Sequence, residues 1–197
     1  MHTKLSAFIL CLMLFAVLLP GACANSMPVN TNIDSHLSSI VDSSIQGYSY
    51  SLVFRYGEGW SEKDSVISGR YNELDTSQET YTKDLVSLPS VTAHLELSQS
   101  EMTQIYEKMQ SIGFFEYPSD FAIKLPPGSV TTIVTPSQLY YFEVIVNSTV
   151  KTLLWNDNIL NPDAQATQLR DLIQLIKSII ESKAEYKALP PASGGYL

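Results

Sequence analysis

From Tyr48 onward, apolar and polar residues alternate. Tyr48, Tyr50, Leu52, Phe54 and Tyr56 fall on one side, and Ser49, Ser51, Val53 and Arg55 on the other. Side chains of a strand alternate between its faces, so this run predicts a half-buried strand ended by Gly57-Glu58-Gly59. The stretch from Trp60 to Glu79 is polar, with Val66-Ile67 as a short apolar piece. It reads as an irregular loop holding a short strand, and loops of that length are usually functional or mobile. Tyr81 to Val86 is a further strand candidate. After Pro89 the alternation resumes over Val91 to Leu97, with Ala93, Leu95 and Leu97 on one face and Thr92, His94 and Glu96 on the other.

The period then changes. Ser98-Gln99-Ser100-Glu101 has the form of a capping box, in which the Ser98 hydroxyl and the Glu101 carboxylate satisfy each other's backbone amides. Met102, Ile105, Tyr106, Met109 and Ile112 follow at helical spacing, and Gly113 stands where a helix end favours positive φ. Phe114 to Pro118 packs the exit. Val130 to Val134 is a short strand candidate. Leu139 to Trp155 reads as a hairpin about Asn147-Ser148, pairing Tyr140 with Trp155, Phe142 with Leu153 and Val144 with Lys151. Tyr140, Phe142, Leu153 and Trp155 then share the core face, while Glu143 and Thr152 point away. Asn161-Pro162-Asp163 predicts a helix start with Asn161 as N-cap. Leu169, Leu172, Ile173, Ile176, Ile179 and Ile180 form the buried stripe behind it, and the helix frays near Glu185 to Lys187. Strands joined by hairpins, with two amphipathic helices, predict an α+β single domain: a mostly antiparallel sheet with both helices on one face.

The N-terminus changes the setting. One positive charge, an apolar run from Leu5 to Leu19 and the small residues Gly21 to Ala24 have the layout of a secretory signal. The run is shorter than the ~20 residues of a spanning helix. Two processing outcomes follow. Cleavage after Ala24 leaves Asn25 as the first residue. Alternatively, Gly21-Ala22-Cys23 resembles the end of a bacterial lipobox, which makes Cys23 the lipid acceptor; Pro20 departs from that motif. Two features favour the anchor. Cys23 sits where apolar sequence gives way to polar, and a Ser/Asn-rich tether follows. The expected organisation is a signal over 1–24, a tether over 25–45, a globular domain over 46–190 and a C-terminal tail over 191–197.

Charge and cysteine content narrow the chemistry. Twelve basic residues face twenty acidic ones, and the basic residues are scattered singly. A nucleic-acid partner, which needs a basic stripe, is not expected, nor is electrostatic adhesion to anionic lipid. The membrane is reached only through Cys23. The second cysteine, Cys11, lies in the signal, so the globular part has neither disulfide, thiol nucleophile nor cysteine-type zinc site. About 145 residues are enough for a core that holds without them.

Candidate chemistry is sparse. His94 and Glu96, two positions apart on one strand face, form an acid–base pair or half a metal site on one reading and a solvated strand face on the other. No metal or cofactor is expected. Asn72, Asp75, Thr76, Lys83 and Asp84 form the densest cluster of hydrogen-bonding residues and are the candidate ligand-binding set. Read structurally, Asn72, Asp75 and Thr76 make turns while Lys83 and Asp84 are solvated; as an exposed recognition surface, Asp75, Lys83 and Asp84 take alanine at less than about 0.5 kcal/mol each. Glu73 with Asp75 or Asp84 supplies the two acids a glycosidic-bond hydrolase requires. Asn156-Asp157-Asn158 with Asn161 and Asp163 is oxygen-rich but lacks calcium-loop spacing.

The run Asn72-Glu73-Leu74-Asp75-Thr76, Tyr81-Thr82-Lys83-Asp84 and Phe114-Phe115-Glu116-Tyr117-Pro118, with the closing Leu189-Pro190-Pro191 and Gly194-Gly195-Tyr196-Leu197, resembles uncharacterised lipoprotein-like secreted proteins of Gram-positive bacteria. The resemblance spans Tyr48 to Leu197. It implies an extracytoplasmic address and no particular activity. The expectation is a non-catalytic cell-envelope domain that binds a ligand or protein partner, with a secreted hydrolase as the alternative.

Overall fold

The computed structural model describes residues 49–58, 60–63 and 66–195. Cys23, the signal, the tether and Tyr48 lie outside the described residues. Among those described, the order is β1 (Tyr50–Gly57), β2 (Trp60–Lys63), β3 (Val66–Gly69), β4 (Asn72–Asp75), β5 (Thr80–Lys83), β6 (Val91–His94), α1 (Gln99–Ser111), β7 (Asp120–Phe121), β8 (Ile133–Val146), β9 (Thr149–Ile159), α2 (Ala164–Ser182) and α3 (Ala184–Lys187). A short 3-10 turn, Phe114–Glu116, follows α1. The fold is α+β, as the periodicities predict.

Seven strands form one sheet in the order β6-β5-β4-β1-β8-β9-β7. Every neighbouring pair is antiparallel except β7 with β9. β2 and β3 pair only with each other. One face of the sheet carries the core. Leu52, Phe54, Leu74, Tyr81, Phe142, Val144, Leu153 and Trp155 are buried there against Ile105 and Met109 of α1 and the apolar stripe of α2. Each such side chain contributes about 1.5–3 kcal/mol by leaving water. The opposite face carries Arg55, Glu73, Tyr141, Glu143 and Thr152, positions that share register with one another across β1, β4, β8 and β9. Side-chain alternation decides this division, because each strand sends odd and even residues to opposite faces.

The β8–β9 hairpin has the expected register: Tyr140 opposite Trp155, Phe142 opposite Leu153, Val144 opposite Lys151. Asn147 and Ser148 turn it with φ of 48° and 66°, the left-handed pair of a tight hairpin turn. The α1 capping box is present in full, with Glu101 accepting from the Ser98 amide at 2.7 Å, and Gly113 has φ of 67°. The α2 stripe is buried at all six expected positions and at Ala166.

Three expectations are corrected. The stretch from Trp60 to Glu79 is not an irregular loop: β2, β3 and β4 occupy most of it. Leu74 and Tyr81 face each other across β4 and β5 with no exposed surface, and that pair draws a polar sequence into the sheet. The N-cap of α2 is Asp163, whose carboxylate accepts from Ala166 N at 2.8 Å. Asn161 instead ties down the preceding chain, accepting from Thr132 N and donating to Val130 O, both at 2.9 Å. Asp84 is buried, not solvated. The chain beyond Leu189 returns to the domain, where Ser193 forms a parallel bridge with Val86. Among the described residues, no helix is long and apolar enough to cross a membrane.

Candidate functional site

The ends of β1, β4 and β5 meet α2, α3 and the returning tail around a cleft of about 390 Å³. Tyr56 and Tyr186 line it, and Tyr81 lies buried between them, so that a row of tyrosines underlies the cleft. The Tyr56 and Tyr81 hydroxyls are 2.7 Å apart and buried. The Tyr81 and Tyr186 rings stand 5.5 Å apart, centre to centre. Asn72 locks the row from below. Its side-chain oxygen accepts from the Tyr81 hydroxyl at 3.3 Å and from Asp84 N at 3.2 Å, and its amide donates to Tyr56 O. Since Tyr81 donates to Asn72, Tyr56 is the donor to Tyr81. Burial pushes the Tyr56 and Tyr81 phenols well above the ordinary 10.0, and nearby Glu181 adds to it. Both phenols therefore stay protonated and serve as donors.

A lysine sits on each end of the row. Lys177 Nζ lies 5.0 Å from the centre of the Tyr56 ring, and Lys83 Nζ lies 4.7 Å from that of Tyr186. Both lysines are half-buried. Among the described residues, neither has a carboxylate within 4.0 Å. A ring face attracts an ammonium by about 0.5–1 kcal/mol at such sites and leaves its three N–H donors free. The acids of the cleft are Glu58, Asp84 and Glu181. Asp84 is paired with Arg70 at 3.1 Å and also accepts from Val86 N. Glu58 accepts from Gln138 at 2.7 Å.

The far wall is backbone. Ser87 N donates to Ser193 O at 3.1 Å and Ser193 N to Leu85 O at 3.2 Å. These bonds bring Gly194 and Gly195 to the cleft. Gly194 has φ of 92°, a conformation that favours glycine.

Of the five candidate binding residues, the structure brings Asn72, Lys83 and Asp84 together in this cleft. Asp75 and Thr76 sit at the other end of β4. Asp75 accepts from Ser77 N and Gln78 N, and Thr76 Oγ1 accepts from Leu52 N at 2.8 Å and donates to Leu52 O. Both therefore shape the β4–β5 turn. The acids invoked for hydrolysis lie in three settings: Glu73 is bonded to Arg55 on the outer face, Asp75 is in the turn, and Asp84 is bound to Arg70. Arg55 is further flanked by the Tyr71 and Tyr141 rings. His94 gains a companion that its strand does not supply. Glu79, from the β4–β5 turn, joins His94 and Glu96, with ligand atoms within 4.8 Å of one another and all three residues exposed. One imidazole and two carboxylates are a donor set zinc accepts, but no surrounding packing holds these side chains.

The sequence reading did not single out Tyr56, Glu58, Lys177, Glu181 or Tyr186 for the site. Tyr56 falls on the core face of the first strand pattern, and Lys177 and Glu181 lie between the apolar positions of the last helix. Their spacing of one helical turn, beside the apolar stripe, is the signal the sequence offers. No family model matches this chain, and no curated protein does. The functional reading rests on its own residues.

Proposed function

We propose that this chain is a non-catalytic ligand-binding domain of the cell envelope, with the tyrosine-floored cleft as its site and Cys23 as its lipid anchor. The observation that carries the site is the pair of half-buried lysines, each seated on a ring rather than on a carboxylate. Unpaired ammonium groups in a concave, partly apolar setting are arranged to meet a ligand. The bonds among Tyr56, Tyr81 and Asn72 hold that end of the cleft rigid beneath them. The address rests on the signal-like N-terminus, on Gly21-Ala22-Cys23 and on the polar tether.

Two experiments test the proposal. Fragment screening by amide NMR should shift Gly57, Asn72, Gly194 and Gly195 together. Hits scattered over the surface, or none, overturn the site. Labelling with radioactive palmitate in a bacterial host should mark wild type and not Cys23→Ser. A wild-type mature N-terminus at Asn25 overturns the anchor.

A further inference from the structure

We infer that the cleft takes a small zwitterion of about dipeptide length, its carboxylate on Lys177 and its ammonium beside Glu181; this rests on the ligand-binding reading above. The charges of the cleft sort themselves. Asp84 is neutralised by Arg70, and Glu58 is bonded to Gln138. Lys83, Lys177 and Glu181 have no oppositely charged partner within 4.0 Å among the described residues. A dianion would meet Glu181 and Glu58. A simple cation would meet both lysines. A molecule carrying one charge of each sign matches Lys177 and Glu181 on α2, with Lys83 at the far end of the row.

Length follows from the helix. Lys177 and Glu181 are one turn apart on α2, a spacing that sets Cβ atoms about 5–6 Å apart. Two extended residues span at most about 7 Å, so the ends of a dipeptide can reach both. The wall suits the middle of such a ligand. Gly57, Gly194 and Gly195 line the cleft without side chains, which lets a peptide bond lie against backbone N–H and C=O groups.

The test is titration calorimetry of the purified protein with L-alanyl-L-alanine, its N-acetyl form, its C-terminal amide, the doubly blocked form and inorganic phosphate. The free dipeptide should bind at least about tenfold more tightly than either singly blocked form, a difference of about 1.4 kcal/mol. Lys177→Gln should erase the advantage over the amide, and Glu181→Gln the advantage over the N-acetyl form. Both side chains lie at the surface of α2, and circular dichroism checks that the variants fold. Equal binding of the doubly blocked form overturns the inference and leaves the ligand-binding reading standing. So does phosphate binding as tightly as the dipeptide, which would mark a plain anion site. If no dipeptide binds while fragments still map to the cleft, the ligand class is wrong and the site is right. If nothing maps there, the site itself falls.

Discussion

Two hairpins of the sheet could hardly look less alike in sequence. β8–β9 reads Leu-Tyr-Tyr-Phe-Glu-Val-Ile-Val, then Thr-Val-Lys-Thr-Leu-Leu-Trp; β4–β5 reads Asn-Glu-Leu-Asp, then Thr-Tyr-Thr-Lys. Both are antiparallel, and both feed the same core. The long hairpin sends five large apolar side chains inward: Tyr140, Phe142, Val144, Leu153 and Trp155. The short one sends Leu74 and Tyr81, and those two are partners. Core volume specifies the first. In the second, one apolar pair sets the register, and a hydrogen-bonded network of Tyr56, Tyr81, Asn72 and Asp84 does the rest. The network is also the floor of the cleft. The hairpin that buries least hydrocarbon is therefore the one that supplies Asn72, Lys83 and Asp84 to the proposed site.

The most severe test of the contrast is Trp155→Ala. Trp155 is 1% exposed and packs on Phe121 and Tyr140. Its loss should cost about 3–5 kcal/mol, read as a shift in urea midpoint. A loss below about 1 kcal/mol would mean the core does not depend on the long hairpin.

The second test separates network from turn. Asp84 is buried against Arg70 and holds Val86 N, so Asp84→Ala should cost about 2–3 kcal/mol. Asp75→Ala, at an exposed turn, should cost about 1 kcal/mol. Equal losses would show that the short hairpin has no special polar support. This reverses what the bare sequence suggests for Asp84, and the reason is physical. Alternation is visible only when several inward positions repeat, as from Tyr140 to Val144. With one inward residue per strand, Leu74 and Tyr81 look accidental between polar neighbours. The capping box at Ser98 and the α2 stripe were legible because each is encoded within one local segment. The cleft was not. Tyr56, Lys83, Lys177 and Tyr186 come from four elements, and only the fold places the lysines on their rings.

A third test uses pH, on which neither hairpin's apolar face depends. Glu101 caps α1 and meets Lys183 at 2.5 Å. Burial works against its charge, but the Lys183 bond and the Ser98 bonds outweigh it, so its carboxyl lies below the ordinary 4.5. A carboxyl depressed by folding contributes stability that is present above its unfolded value and is lost as pH falls through the folded one. As pH falls through that lowered value the Lys183→Ala variant and wild type should therefore converge, from a difference of about 0.5–1 kcal/mol at neutrality for a partly screened pair. A difference that persists at pH 2 would assign the effect to packing of the lysine stem.

The finest test compares the two turns. Each carries a residue other than glycine in the left-handed region: Ser148 with φ of 66° and Glu79 with φ of 53°. That conformation costs an L-residue about 1–2 kcal/mol, and glycine removes the cost while adding about 0.5–1 kcal/mol of chain entropy to be lost on folding. Ser148→Gly also creates the Asn-Gly pair that two-residue hairpins favour. It should stabilise by about 0.5 kcal/mol. Glu79→Gly should gain as much, because the bond that Glu79 makes to Leu95 N at 2.8 Å uses its backbone oxygen. The side chain gives up only an exposed approach to His94 at 4.0 Å, which is worth little in water. Equal gains would show that the two turns are strained alike and that the hairpins differ only in what they bury. A gain at Ser148 with a loss at Glu79 would mean that the Glu79 carboxylate is engaged, and His94 with Glu96 is where its partner would be sought.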